Sequence, residues 1–355
     1  MSKQALVSEE VVVGKLVNPQ QIDVSGRLVG FKDFQHRAMW SYLRLQYGRQ
    51  IDALIRGLFK DKKVRNKAQA HTVLEKFFWE KVKQADLERV REIQFILRGD
   101  DTVMAVASLK HLLIPQSSVY ATANTILSDS GQQRLLIEED VAGQVVYERE
   151  AAGIQYGLQI YAGSINTRFA IRVAVMFKVM QCLNVVSWLG IGSFRQWIPN
   201  ANKNYERVLR IKDVTELEPR LKQAMAVAQN GLSRLDAQIQ ASKKIKLTKK
   251  AARALAASMG FSYGLGGSTV KQVLDRYAEE EQTLYGLAMA ESWIAKRGNF
   301  SPVARDVSQK LSTMAGASIL IKDPKDAEKK SIAWLKAHIK KGQLKNLDDI
   351  VGDLI

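Results

Sequence analysis

The order of apolar and polar residues along the chain predicts a β-sheet in its middle and helices on either side. Residues 154–161 alternate between apolar and polar, and residues 167–176 alternate again and are rich in β-branched side chains, which is the pattern of two half-buried strands. Turn-forming residues at 162–166 predict that the two strands form a β-hairpin with a five-residue connection. Further strands are predicted in residues 93–98, 102–108, 119–122, 134–138 and 144–150, and one or two short ones in residues 1–30.

Apolar residues that recur every three or four positions predict the helices. The N-terminal helical region covers residues 33–90, and its polar positions are rich in arginine and lysine. Later helices are predicted in residues 176–189, 216–240, 249–259 (with Thr248 as the N-cap), 270–295 and 301–315, before a lysine-rich terminal helix and tail. The predicted fold class is α+β, with a largely antiparallel sheet and a central β-hairpin, flanked by N-terminal and C-terminal helical regions. The expected segments of the chain are residues 1–90, 91–200, 201–320 and 321–355.

The second strand of the hairpin carries arginines on one face. Arg168 and Arg172 share their face with Ala174 and Met176, whereas the opposite face is apolar. The two arginines are about 13 to 14 Å apart along the strand, at about 3.3 to 3.4 Å per residue, and Lys178 extends the row if the strand continues. This arrangement fits a core layer whose upper face meets phosphates, and a solvated face with ion pairs is the alternative.

Net charge indicates the class of partner. The chain has 355 residues, with 53 Lys and Arg against 36 Asp and Glu, which leaves a net charge of +17. A hydrophobic content of 46% is enough for a sizeable core. An excess of positive charge on a folded protein favours a polyanion as the partner, either nucleic acid or an anionic membrane surface. A basic protein without a specialised partner is the alternative.

The sequence contains little that favours catalysis or metal binding. The single cysteine, Cys182, excludes an internal disulfide framework and a cysteine-rich zinc site, and the four histidines are far apart. No G-x-S-x-G motif and no acidic metal cluster occurs, so we expect no enzyme activity, no catalytic or metal-binding residue and no cofactor. Polar and charged residues interrupt the most apolar stretch, residues 171–192, so no membrane span is expected. We expect a reducing location, the host cytoplasm or a virion, and no targeting peptide at the N-terminus.

The densest basic run lies between two predicted helices. Six positive residues fall within eleven positions: Lys243, Lys244, Lys246, Lys249, Lys250 and Arg253. The last three lie within about one helical turn and share a surface, whereas the first three are placed on the preceding connection. Such a cluster binds phosphates with release of counterions, and a solvated junction is the alternative.

Another candidate combines aromatic and basic residues. Arg195 lies between Phe194 and Trp197, and Trp188 precedes them. Unpaired bases stack on aromatic side chains, so this pattern favours single strands over duplexes. Burial of these tryptophans in the core is the alternative.

Three segments of the chain carry a family resemblance. Residues 95–108 read FILRGDDTVMAVAS, residues 181–184 read QCLN, and residues 283–290 read TLYGLAMA, with Ala315-Gly316 downstream. They resemble the hairpin, the Cys-x-Asn element and the C-terminal helix signature of a large family of uncharacterised phage/plasmid-like proteins from phages, plasmids and archaeal elements. The resemblance covers about residues 90–320.

The chain departs from this family at three places. Lys110-His111 stands where the family often has an arginine–tyrosine pair, Arg195-Gln196-Trp197 replaces a basic–histidine motif, and Ala288-Met289-Ala290 lacks an asparagine. The family has no settled activity. Its genomic company and its hairpin-plus-helix core look similar to those of the single-strand annealing recombinases of the RecT, Erf and Red-beta type.

These observations predict a non-enzymatic nucleic-acid-binding protein of a phage, virus or plasmid. It is expected to hold single strands in a basic groove and to form a homo-oligomeric ring or filament for strand annealing, recombination or protection. A viral nucleoprotein or filament subunit that coats nucleic acid is the alternative, and a metal-dependent nuclease is a third candidate that no acidic cluster supports. The predicted nucleic-acid-binding residues are Arg168, Arg172, Lys178, Arg195, Trp197, Lys243, Lys244, Lys246, Lys249, Lys250 and Arg253.

Overall fold

A computed structural model of the chain confirms the α+β class, with antiparallel sheets and helical regions at both ends. The structure describes residues 9–18, 21–24, 27–30, 36–47, 51–62, 64, 67–82, 93–99, 102–109, 112–129, 137–140, 143–151, 153–162, 171–182, 184–199, 204–297, 302–341 and 348–352. The chain forms two compact units. The first contains residues 1–126, 162–171 and 210–220, and the second contains residues 127–161, 172–209 and 221–355. The four segments expected from the sequence stay a prediction.

The first unit is built on a five-stranded sheet of order β3-β2-β1-β4-β5. Its strands are β1 (Glu9–Asn18), β2 (Gln21–Val24), β3 (Arg27–Gly30), β4 (Ile93–Arg98) and β5 (Val103–Ser108). Its helices are α1 (His36–Tyr47), α2 (Ile51–Asp61), α3 (Lys67–Val82) and most of α4 (Gln116–Asp129). Helix α1 packs against β5, and Leu43, Phe95 and Val106 are buried in this core.

The second unit contains a sheet of order β10-β9-β8-β7-β6, with β11 paired to β9. The strands are β6 (Ile137–Asp140), β7 (Gly143–Ala151), β8 (Ile154–Tyr161), β9 (Ile171–Val179), β10 (Asn184–Ser187) and β11 (Glu206–Leu209). Strands β8 and β9 pair from Ile154↔Val179 to Tyr161↔Arg172, so the predicted hairpin is confirmed. Most of its connection, with Arg168, lies outside the described residues.

Helices α9 and α10 pack against each other and against β10, which places them at the centre of the second unit. The helices from residue 217 onward are α5 (Leu217–Leu232), α6 (Leu235–Lys244), α7 (Lys249–Ser262), α8 (Gly267–Tyr277), α9 (Leu284–Arg297), α10 (Pro302–Ile319), α11 (Pro324–Lys340) and α12 (Asp348–Val351). Each stretch predicted as one helix at 216–240 and 270–295 is in fact two helices. Among the described residues, no helix combines the length and apolarity that crossing a bilayer requires.

Two predictions of element type were wrong. Residues 119–122 belong to helix α4 rather than to a strand, and the buried positions Val119, Ala123 and Leu127 recur at helical spacing. Residues 176–189 contain the end of β9 and the whole of β10 rather than a helix. A strand buried on both faces gives a continuous apolar run, which periodicity alone does not distinguish from a buried helix.

The arginine face of β9 is covered. Ala174 and Met176, which share that face with Arg172, are 0% and 1% exposed. Val173, Val175 and Phe177 on the other face are all 0% exposed. The open arginine-bearing face that the alternating pattern predicted is therefore wrong for this part of the strand.

Candidate nucleic-acid interface

The basic run forms the junction between helices α6 and α7. Lys243 and Lys244 occupy the last turn of α6, rather than the connection where the sequence analysis placed them. Residues 245–247 connect the helices, and Lys246 forms an isolated antiparallel bridge with Thr283. The Leu247 N–H donates to the Gln282 carbonyl at 2.9 Å, and the Leu284 N–H donates to the Ile245 carbonyl at 3.0 Å. These two bonds fix the connection against the segment that leads into α9.

Helix α7 begins at the predicted cap. The Thr248 hydroxyl accepts the Ala251 N–H at 3.0 Å, which satisfies one of the free donors of the first turn. Lys249 and Lys250 are the first two residues of the helix, and no acidic residue stands in its first turn. Two positive side chains therefore lie at the positive end of the helix dipole, where cations are disfavoured and anions are stabilised.

The lysines of the junction are exposed. We call Lys243, Lys244, Lys246, Lys249 and Lys250 the lysine junction, and each is exposed to solvent. The last four form no ion pair with any residue in the described parts of the chain. Arg253, the sixth member of the basic run, is half-buried and has a partner of its own, so the free charge is concentrated on the five lysines.

One lysine of the junction lies over an aromatic ring. The Lys243 Nζ is 4.8 Å from the ring centroid of Tyr285, in α9. Burial raises the pKa of Tyr285 to about 12, and the nearby Cys182 and Glu280 add to the shift. The phenol is therefore neutral at neutral pH, and its π-face attracts the ammonium group.

Arg172 is bound to a buried carboxylate instead of facing an open groove. Its Nη1 lies 3.2 Å from Oε1 of Glu206 in β11, whose side chain is 3% exposed. The same oxygen accepts the Gly190 N–H at 2.7 Å. Gly190 has a φ of 86°, and a Cβ there would lie 2.5 Å from the hydroxyl oxygen of Tyr263, so the position requires glycine. This arrangement favours a structural role for Arg172, and its part in nucleic-acid binding stays a prediction.

Replacing Arg172 is expected to affect stability more than binding. We expect Arg172→Gln to lower the free energy of unfolding by about 1–2 kcal/mol, because a buried carboxylate loses its charged partner while the guanidinium itself is partly solvated. Urea unfolding measures the loss, and the Arg172→Gln/Glu206→Gln double variant should recover part of it. Unchanged stability with about a tenfold loss of oligonucleotide affinity would instead place Arg172 in the interface.

The remaining candidates that the structure describes lie on β9 and in the segment that follows β10, outside the lysine junction. Arg168 lies outside the described residues, and Lys178, at the end of β9, is half-buried and has a partner. Arg195 is exposed, and its Nε donates to the Gly192 carbonyl at 3.1 Å. Trp197 is 5% exposed, and its indole N–H donates to the Ser331 hydroxyl at 2.8 Å. The Trp197 ring is therefore part of the core, and no base stacks on it in this conformation.

Two residues that organise these surroundings were not among the candidates predicted from the sequence. Glu206 lies in a short strand that was not predicted, and Thr283 pairs with Lys246 from a distant part of the chain. No local signal identifies either residue, because both act through contacts between segments far apart in sequence. In the parts of the chain that the structure describes, no group of three histidine, cysteine, aspartate or glutamate side chains is arranged to hold a metal ion.

We compared the chain with protein-family models, with curated proteins and with solved structures, and found no match in any of the three comparisons. The resemblance to the phage/plasmid-like family therefore stays a prediction, based on residues 95–108, 181–184 and 283–290.

Proposed function

We propose that the protein binds single-stranded nucleic acid through the phosphates of its backbone, at the lysine junction. The observation that carries this proposal is the concentration of exposed lysines where α6 meets α7, two of which stand at the positive end of helix α7. A helix start that lacks acidic residues and carries two lysines is electrostatically unfavourable in isolation. A bound polyanion reverses that balance, because each neutralised phosphate releases condensed counterions.

We propose single strands rather than duplexes because the resembled family has a core that looks similar to that of the single-strand annealing recombinases. The Tyr285 ring does not add a stacking surface in this conformation, since it is half-buried and Lys243 covers one of its faces. The resemblance to proteins of phages and plasmids agrees with this substrate. We further propose that copies of the chain assemble along the strand as a ring or filament, in strand annealing or protection.

A salt titration tests the proposal. Fluorescence anisotropy with a labelled oligonucleotide of about 30 nucleotides is expected to give a linear fall of log K with log salt, with a slope of about −0.7 for each phosphate contacted. Contact by the five lysines would thus give a slope of about −3.5. Absence of measurable affinity at low salt would refute nucleic-acid binding. Adding the complementary strand then separates two roles, since an annealing protein accelerates pairing and a coating protein suppresses it.

A further inference from the structure

An acidic turn lies beside the lysine junction. Residues 279–281 are three consecutive glutamates that follow helix α8, and they immediately precede the segment that pairs with residues 245–247. Glu280 is three residues from Thr283, which bridges to Lys246. The Cα atoms of Glu280 and Lys246 are therefore no more than about 16 Å apart, at 3.8 Å per residue and about 4.5 Å across the bridge. This upper bound on the Cα–Cα distance is about twice the Debye length at physiological salt.

Two of these glutamates are bound to a single arginine. Arg276 donates from Nη1 to Glu279 Oε2 at 2.6 Å and from Nη2 to Glu280 Oε1 at 2.5 Å. Its guanidinium lies 4.8 Å from the ring of Trp293 in α9. Separate nitrogens of this guanidinium bind the two carboxylates, and the group lies over an indole ring. These contacts hold the Arg276 side chain in one orientation. Neither glutamate forms an ion pair with a lysine of the junction in the described structure.

We propose that Arg276 is a positioning residue for the lysine junction, because it keeps Glu279 and Glu280 from neutralising the lysines. This inference rests on the proposed function. A carboxylate competes with a phosphate for the same ammonium group, so a released acidic turn would inhibit binding from within the chain. The alternative is that the two ion pairs only strengthen the end of helix α8, as pairs three and four residues apart do.

Removing the guanidinium separates these two explanations. We expect Arg276→Gln to lower oligonucleotide affinity about tenfold at about 50 mM salt, the effect of losing one phosphate contact to an internal carboxylate. Lys271→Gln, an exposed position on the same helix, removes the same charge and should lower affinity no more than about twofold. Equal losses in the two variants would overturn the proposal.

Rescue by a second change provides the decisive readout. Arg276→Gln/Glu279→Gln/Glu280→Gln should regain at least the wild-type affinity, whereas Glu279→Gln/Glu280→Gln alone should change affinity no more than about twofold, because Arg276 already masks those carboxylates. A fold damaged by loss of Arg276 would not be rescued by removing two glutamates, so failure to recover also overturns the proposal. A wild-type protein without affinity would refute the proposed function itself. Binding that is lost in lysine-junction variants but equal in Arg276→Gln and Lys271→Gln would refute only the role of Arg276.

Discussion

Reversing the charge of Lys249 and Lys250 is expected to weaken oligonucleotide binding on the order of 100-fold at about 50 mM salt. With a slope of about −0.7 per phosphate on a single strand, each contact contributes about a factor of ten at that salt concentration and about a factor of three at 200 mM. The loss should therefore shrink to about tenfold at 200 mM, and the slope of the salt titration should fall by about 1.4.

The same Lys249→Glu/Lys250→Glu variant is expected to be at least as stable as the wild type. Both residues stand in the first turn of α7, where a negative side chain interacts favourably with the helix dipole by about 0.3–1 kcal/mol per site. Urea unfolding should show a gain or no change in the free energy of unfolding. A loss of affinity together with a gain in stability would indicate that the two lysines serve ligand binding, because damage to the fold would lower both quantities.

A matched control variant makes the same two charge reversals at lysines outside the lysine junction. Lys222 and Lys329 are exposed residues of α5 and α11, and their joint replacement by glutamate makes the same change in net charge. We expect the control to lower affinity no more than about threefold at 50 mM salt. Equal losses in the two double variants would show that binding follows the net charge of +17 and not the lysine junction.

The parts of the interface that the sequence predicted are those determined by neighbours along the chain. Thr248 could be identified as an N-cap because a hydroxyl before an apolar helical pattern satisfies a free N–H. The basic run was visible for the same reason, since Lys249 and Lys250 are close in space wherever the helix lies. The β8–β9 hairpin followed from the alternation of short strands, and its register places Tyr161 opposite Arg172.

The parts that sequence analysis did not predict depend on partners from distant segments. Whether Arg172 faced a groove or an ion pair depended on Glu206, which is 34 residues away. The position of Trp197 depended on Ser331 in α11, 134 residues away. The prediction of a helix in residues 176–189 was wrong for a different reason. Strands buried on both faces lose the alternation that identifies a strand. In the core, burial against distant segments thus removes the alternating pattern that identifies a strand. At the solvent-exposed lysine junction, the basic pattern can still be recognised in the sequence.

A buried carboxyl group in the centre of the second unit leads to the second large prediction. Glu291, in α9, is 0% exposed. The Ser318 hydroxyl of α10 lies 3.2 Å and 2.9 Å from its two carboxyl oxygens, and no basic side chain in the described part of the chain forms an ion pair with it. Burial raises the pKa of Glu291 well above its ordinary value, and the hydrogen bond from Ser318 only partly opposes the shift. The folded state therefore holds a proton that the unfolded chain releases.

Glu291→Gln is expected to make the protein more resistant to rising pH. Because the folded-state pKa is raised, the wild-type contribution of Glu291 is fully present below the unfolded pKa of about 4.3 and is lost as the pH rises through the folded value. Between those limits the wild type loses about 1.4 kcal/mol of unfolding free energy per pH unit through this group. The glutamine is neutral and of the same shape, so the variant does not incur that loss. Urea unfolding of both proteins at several pH values from about 4 to 8 measures the difference, which should widen as the pH rises.

The control for Glu291 is an exposed acid of the same unit. Glu281 is solvent-exposed, and Glu281→Gln should change the free energy of unfolding by no more than about 0.5 kcal/mol at each pH, because substitutions of exposed side chains have small effects. The difference in unfolding free energy between Glu291→Gln and the wild type contains no contribution from the other titrating groups, provided that the substitution leaves them unperturbed. A difference that stays constant across the pH range would mean that the carboxyl group of Glu291 is not held protonated in the folded protein. A difference that widens with pH would show that the packing of α9 against α10 requires the neutral acid.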